Sequence, residues 1–245
     1  MRDFAGKRYW LVGASEGLGL ALAERLSRAG CEVILSARSG ERLADAVARM
    51  PGKARAVPVD VGDAGSVQAA ALAVGEVDGV VFLAGVYWPM TAREWDTKAV
   101  ETMIDVNLTG AARVVGAVLP AMLARGAGHI VLTGSLSGFR GLPRAIGYGA
   151  SKAGLVSLAE SLRCDLEGSG VEVQLANPGF IRTRLTDKNS FKMPQIMEPE
   201  AAALAMVEHM ASARFSRSFP VPFAWVFRLS QLMPDWLYFR IFSKL

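Results

Sequence analysis

The chain has 245 residues, 51% hydrophobic and 20% charged, which is enough apolar content to bury a core and too much for wholesale disorder. Its net charge of +4 is mild, and Lys and Arg are scattered among acids rather than gathered into a run, which argues against nucleic acid as a partner. The two cysteines, Cys31 and Cys164, read as buried thiols, and His129 and His209 stand alone as structural or surface residues, so no metal site is expected.

The opening MRDFAGKRYW reaches a strand, Arg8–Val12, without an apolar signal segment, from which a cytoplasmic location is expected. Next comes Gly13-Ala14-Ser15-Glu16-Gly17-Leu18-Gly19, which leads into a helix over Leu18–Ala29. Glycines at such a turn let backbone approach a pyrophosphate, whose charge a helix N-terminus favours. The spacing is GxxxGxG, with Leu22 where the last glycine of the GxGxxG fingerprint would stand. A second strand, Glu32–Ser36, ends in Ala37-Arg38 with no acid. A carboxylate there would accept from a ribose 2′-hydroxyl, whereas arginine suits a 2′-phosphate, so NADP(H) is expected over NAD(H).

A helix over Gly40–Met50, a strand over Ala56–Val59, a helix over Val67–Val74 and a strand over Gly79–Leu83 continue the alternation. One long helix is predicted for Thr97–Arg125, then a strand over His129–Thr133 with Ser135 just beyond it. A helix over Tyr148–Glu167 places Tyr148 and Lys152 four residues apart on one face. A free phenol titrates near pH 10 and is a poor acid or base at neutrality, and a neighbouring ammonium favours its ionised form. The strand Val171–Ala176 completes the series. Strands alternating with helices predict an open, doubly wound parallel sheet of Rossmann type, helices on both faces, as one domain over residues 1–215.

Residues 216–245 read as an apolar and aromatic extension. From Phe219 to Phe242 the only charges are Arg228, Asp235 and Arg240, and Pro220, Pro222 and Pro234 disfavour a spanning helix. With Lys244 the segment reads as amphipathic. It suits a flap over an apolar channel, a subunit contact, peripheral contact with a membrane surface, or plain packing on its own domain.

Taken together, the motifs resemble the short-chain dehydrogenase/reductase family over residues 5 to about 185. The family's glycines match Gly13, Gly17 and Gly19, and its asparagine, serine, tyrosine and lysine match Asn107, Ser135, Tyr148 and Lys152. Asp60-Val61 looks like its adenine contact, and Asn177-Pro178-Gly179-Phe180-Ile181-Arg182-Thr183 like its nicotinamide-side loop. The resemblance implies an oxidoreductase in which Tyr148 exchanges a proton with the substrate oxygen, Lys152 lowers the Tyr148 pKa and holds the nicotinamide ribose, and Ser135 positions the substrate. Asn107 would hold a water relaying protons from Lys152. Ser15, Leu18, Arg38, Ala84, Gly85, Pro178, Gly179, Ile181 and Thr183 complete the implied cofactor contacts.

Two positions depart from the family. Phe82-Leu83-Ala84-Gly85 replaces the usual Asn-Asn-Ala-Gly, and Val12 replaces a threonine ahead of the first glycine. Apolar packing between them is expected to compensate. Substrate contacts are expected from Leu136–Ile146 and Arg184–Pro199, with Phe139, Leu142, Ile146, Phe191 and Met193 favouring a small apolar, lipid-like carbonyl or alcohol. A homodimer or homotetramer is the expected assembly. A quiet NADP(H)-binding sensor or scaffold of the same fold is the competing reading. An epimerase or dehydratase is a third, for which this length leaves little room for an added substrate domain.

Overall fold

The computed structural model describes residues 2–189 and 193–243. Seven strands form one parallel sheet: β1 (Arg8–Val12), β2 (Glu32–Ser36), β3 (Ala54–Ala56), β4 (Gly79–Phe82), β5 (Gly128–Thr133), β6 (Val171–Pro178) and β7 (Ser216–Phe219), in the order β3-β2-β1-β4-β5-β6-β7. Nine helices surround it among the described residues: α1 (Gly17–Arg28), α2 (Gly40–Ala48), α3 (Ala64–Val74), α4 (Thr97–Ile104), α5 (Gly110–Arg125), α6 (Ile146–Asp165), α7 (Pro199–Met210), α8 (Val221–Ser230) and α9 (Asp235–Phe242).

Alternation along each strand explains the two layers. Trp10 and Val12 of β1, Val80 and Phe82 of β4, and Ile130 and Leu132 of β5 point to one face, where they meet α3, α5 and α6. The intervening Tyr9, Leu11, Val81 and Val131 join a second core with residues of α1, α2 and α7. Strands buried on both sides read as nearly continuous apolar runs, which is why the central ones were legible from sequence.

Several expectations change in detail. The third strand runs Ala54–Ala56 rather than 56–59, although Val57 and Val59 still donate to the carbonyls of Leu35 and Ala37 beyond it. The helix expected over Thr97–Arg125 is broken by a π turn at Asp105–Thr109, so α4 and α5 are distinct. Helix α7 and strand β7 were not anticipated. β7 carries Ser-Arg-Ser-Phe on the sheet edge, too polar for an apolar-run signal, yet Phe219 pairs with Pro178 of β6. The boundary expected at residue 215 therefore falls just ahead of a sheet strand. Cys31 is buried but Cys164, off the buried side of α6, is exposed, so only one of the two expected buried thiols is buried; both are free. His129 and His209 are buried, and burial pushes the His129 imidazole down to about 3.

Strand order reverses between β1 and β4, so chain leaves these neighbours in opposite directions and opens a crevice at their carboxyl ends. Val12 and Phe82 are register partners at this point, both fully buried in one core. The two departures from the family pattern thus pack on each other.

Candidate active site

The crevice is a cleft of about 460 Å³ that runs from the glycine turn across the ends of β1, β4, β5 and β6 to α8. At its nucleotide end, a Cβ on Gly13 would come within 2.4 Å of the Ala84 nitrogen, and Gly13 has φ of +96°. A Cβ on Gly19 would lie 2.1 Å from the Gly13 carbonyl oxygen. Only glycine lets the turn after β1 seat against the segment after β4 and against its own helix. Leu22 is fully buried, so the turn closes without the fingerprint's last glycine.

Helix α1 begins with no side-chain cap: Glu16 occupies the N-cap but does not bond the first-turn N–H groups. Uncapped N–H groups at a glycine turn suit an anion. The Glu16 carboxylate pairs instead with Arg184 at 3.0 Å and Arg42 at 3.5 Å, linking this turn to the loop after β6 and to α2. Arg38 lines the cleft, exposed, with no acidic partner among the described residues, and Ser39, Asp60 and Val61 line it beside Arg38. Uncapped helix, unpaired guanidinium and open cleft are the features a phosphorylated dinucleotide needs.

At the other end, Ser135, Tyr148 and Lys152 line the same cleft. Ser135 sits at the end of β5, where its Oγ accepts from the Ser137 nitrogen at 3.2 Å and the Ser137 hydroxyl at 2.9 Å. With both acceptor sites used, the Ser135 proton is free to point elsewhere, and the Ser135 hydroxyl pulls the Tyr148 pKa downward. Tyr87 meets the Tyr148 ring edge-on, centroids 5.0 Å apart.

Lys152 is buried on α6, its Nζ donating to the Thr133 carbonyl at 2.7 Å and lying 5.6 Å from the Tyr148 ring centre. Burial pushes this ammonium down to about 8. Burial also pushes the Tyr148 phenol up to about 12, against the opposing pull of Ser135. The expected lowering of the Tyr148 pKa by Lys152 is therefore not present in this state: desolvation dominates both groups, and the ammonium is engaged with a backbone carbonyl. A protonated phenol is nevertheless the form that can give up a proton.

Asn107 lies in the π turn, fully buried. Its Oδ1 accepts from the Val86 nitrogen at 2.7 Å, and its Nδ2 donates to the Val86 oxygen at 3.0 Å and to Ser151 Oγ at 3.0 Å. Both amide hydrogens are thus committed, and the side chain braces the chain after β4. A Cβ on Gly85 would stand 3.4 Å from Asn107 Oδ1 and 4.0 Å from Lys152 Nζ, so the segment Ala84-Gly85 runs directly past both.

Pro178, Gly179, Ile181 and Thr183 follow β6 along the cleft, and Thr183 packs against Gly17, whose Cβ would meet the Thr183 methyl at 2.8 Å. All the residues expected at the site except Asn107 line this one cleft, and Asn107 braces its wall. The expected substrate contacts divide. Leu142 lines the cleft; Phe139 turns to the tail, where its carbonyl accepts from Gln231; Ile146 opens α6 outside the lining. Met193 takes a hydrogen bond from Asn189 at its sulfur, and Phe191 lies outside the described residues.

Sequence reasoning missed Glu16, Tyr87 and Ser137, which have no motif of their own. It also missed Phe223 and Phe227, which reach the cleft from α8. Their spacing of four residues was the available signal. Phe227 packs with Leu136 and Ala224, and Phe223 contacts Phe180 and Phe227. The tail thus packs on its own domain and walls the cleft at once.

The short chain dehydrogenase family model matches residues 7–193. An uncharacterized oxidoreductase of Myxococcus xanthus is 36% identical over 245 residues, covering 97% of each chain. The ketoacyl reductase HetN of Nostoc sp. is 33% identical over 219 residues, 85% of this chain and 76% of its own. Among solved structures, a short-chain dehydrogenase from Streptomyces avermitilis superposes with a TM-score of 0.85 at 28% identity, covering 98% of this chain and 97% of its own.

Proposed function

The chain belongs to the short-chain dehydrogenase family of oxidoreductases, and from that premise we propose that it is an NADP(H)-dependent enzyme moving a hydride between nicotinamide and a carbonyl or secondary alcohol of an apolar, lipid-like substrate. The observation that carries the proposal is one cleft with an unpaired Arg38 at its nucleotide end and the Ser135–Tyr148 pair at its closed end.

When bound, the nicotinamide supplies or accepts the hydride. The glycine turn and the first N–H groups of α1 would hold the pyrophosphate, and Ser15, Leu18 and Ile181 line the cleft beside that turn. Arg38 would take the 2′-phosphate, with Ser39 and Arg42 lining the cleft beside it, and Asp60 and Val61 would meet the adenine. Backbone of Ala84 and Gly85, with Lys152, would hold the nicotinamide-side ribose, and Pro178, Gly179 and Thr183 line the cleft where they would hold the nicotinamide. In reduction, Ser135 would hold the carbonyl oxygen and Tyr148 would give it the phenolic proton that completes the alcohol hydroxyl. Oxidation runs the same transfers in reverse.

Leu142, Phe180, Leu185, Phe223 and Phe227 around the substrate end support an apolar chain over a sugar. The relative named as a ketoacyl reductase agrees with an acyl-chain ketone.

Two substitutions test the reading. Tyr148→Phe is expected to cut kcat by about a hundredfold or more while NADPH still binds, because only the proton donor is lost. Turnover within severalfold of the unmodified protein would refute the acid/base assignment. Arg38→Asp is expected to weaken NADPH, measured by fluorescence titration, by about a hundredfold while NADH changes little, since a like charge replaces the phosphate's partner. Equal affinity of the unmodified protein for both cofactors would overturn the NADP(H) preference.

A further inference from the structure

Helices α8 and α9 have two unlike sides. Inward, Phe223 and Phe227 wall the cleft, and Tyr238 and Phe242 stack on each other with centroids 4.3 Å apart. Outward, α8 leaves Val221, Trp225 and Leu229 uncovered at four-residue spacing, and α9 leaves Trp236 and Phe239, with Leu232 on the turn between. Trp225 is 54% exposed, Leu232 81% and Trp236 68%. Isolated exposed apolar residues are ordinary, but two adjoining helices with large apolar side chains on their solvent sides are not.

Charge decides what covers them. The one acid of the tail, Asp235, is taken up by Arg140 at 2.5 Å. Arg228 turns inward over the Phe139 ring and toward Ser218. That leaves Arg240 as the exposed, unpaired charge of the two helices among the described residues, and Lys244 follows in the sequence. An apolar, tryptophan-bearing face fringed by positive charge complements a bilayer with anionic headgroups, where indoles favour the boundary between headgroup and acyl chain. At 10 and 8 residues, the helices are too short to span a bilayer and are suited to lying in its surface.

We propose that the outer face of α8 and α9 docks the protein on an anionic membrane surface. Because α8 walls the cleft with its opposite side, docking places the substrate end next to the acyl region, a route for an apolar substrate that need not cross water. This goes beyond the catalytic reading, and vesicle binding is read without cofactor or turnover, so either can fail alone.

The test is co-sedimentation of the full chain with phosphatidylcholine vesicles, with and without phosphatidylglycerol, alongside tryptophan emission. The unmodified protein is expected to pellet with the phosphatidylglycerol vesicles and to shift its emission to the blue. The double variant Trp225→Gln, Trp236→Gln removes the two exposed indoles that would enter the membrane surface and is expected to partition at least about tenfold less, with unchanged circular dichroism and unchanged turnover of a water-soluble ketone. Arg240→Glu is expected to weaken pelleting with the anionic vesicles at constant fold. An unmodified protein that stays in the supernatant with both vesicle types overturns the proposal. So does pelleting that neither variant diminishes, or a dimer in sedimentation velocity that the double variant splits while vesicles go unbound.

Discussion

At the catalytic end Lys152 is held in a costly state, and the cost has a pH signature. Lys152 is 4% exposed and its ammonium is pushed down to about 8 by burial, from an ordinary value near 10.5. Between those two values the unfolded chain binds the proton more tightly than the folded one, so this residue's contribution to stability rises with pH from about 8 to about 10.5 and is lost as pH falls through 8. A depression of that size corresponds to about 3 kcal/mol. Lys152→Met keeps the stem and removes the charge. It is expected to be more stable than the unmodified protein at pH 7, with the gap narrowing as pH rises toward 10, in urea titrations across that range. A gap independent of pH would show that the ammonium is not held at a desolvation cost. Tyr148, pushed up to about 12, acts oppositely, favouring the fold less as pH passes 10, and is common to both proteins. Cofactor site and stability are thus opposed at one side chain.

The π turn between α4 and α5 does for the site what a straight helix could not. A regular helix over Thr97–Arg125 would bond each N–H four residues back, whereas the wider turn at Asp105–Thr109 re-aims Asn107 at Val86. Asn107→Ala leaves the Val86 N–H and C=O and the Ser151 hydroxyl without this partner in a closed interior. The expected loss is about 1–3 kcal/mol by urea denaturation, with kcat reduced because Gly85 and Lys152 share that wall. A stability change under a few tenths would show that the brace is dispensable. The sequence carried the asparagine but not the turn: no Gly or Pro interrupts residues 97–109, and π geometry is selected there by tertiary packing that no local pattern encodes. The same limit hid β7, whose pairing comes from β6 rather than from its own residues. Central strands, the glycine turn and the Tyr148–Lys152 spacing were legible because burial on both faces, close backbone approach and helical periodicity each write a local constraint into the chain. Glu16, Tyr87 and Ser137 were not, because their partners lie elsewhere in the sequence or carry no motif.

On the scale of the whole molecule, the sheet fixes the cofactor end of the cleft while the tail shapes the substrate end, and one side chain ties them. Arg140 stands on the loop after β5, five residues past Ser135, and its Nη1 donates to the carbonyls of Ser230 at 2.5 Å and Met233 at 2.7 Å. Its Nη2 pairs with Asp235, and its guanidinium lies 3.9 Å from the Tyr238 ring centre. Tyr238 closes the circuit by donating from its hydroxyl to the Gly141 carbonyl at 2.5 Å. A planar cation meeting two carbonyls, a carboxylate and a ring face is a use lysine could not reproduce. The loop carrying Ser135 and Leu142 is therefore clamped to the helices carrying Phe223 and Phe227. Arg140→Met keeps length and apolar stem but removes every donor. The expected outcome is a rise of about tenfold in KM for ketones long enough to reach α8, with kcat for a short ketone within about twofold, because the Ser135–Tyr148 geometry is set from β5 and α6 while the apolar wall is set from the tail. Steady-state kinetics over a graded series of 2-alkanones reads this directly. Equal effects on short and long ketones would mean that Arg140 supports the catalytic pair itself, and no effect on either would mean that the wall holds its position without the clamp.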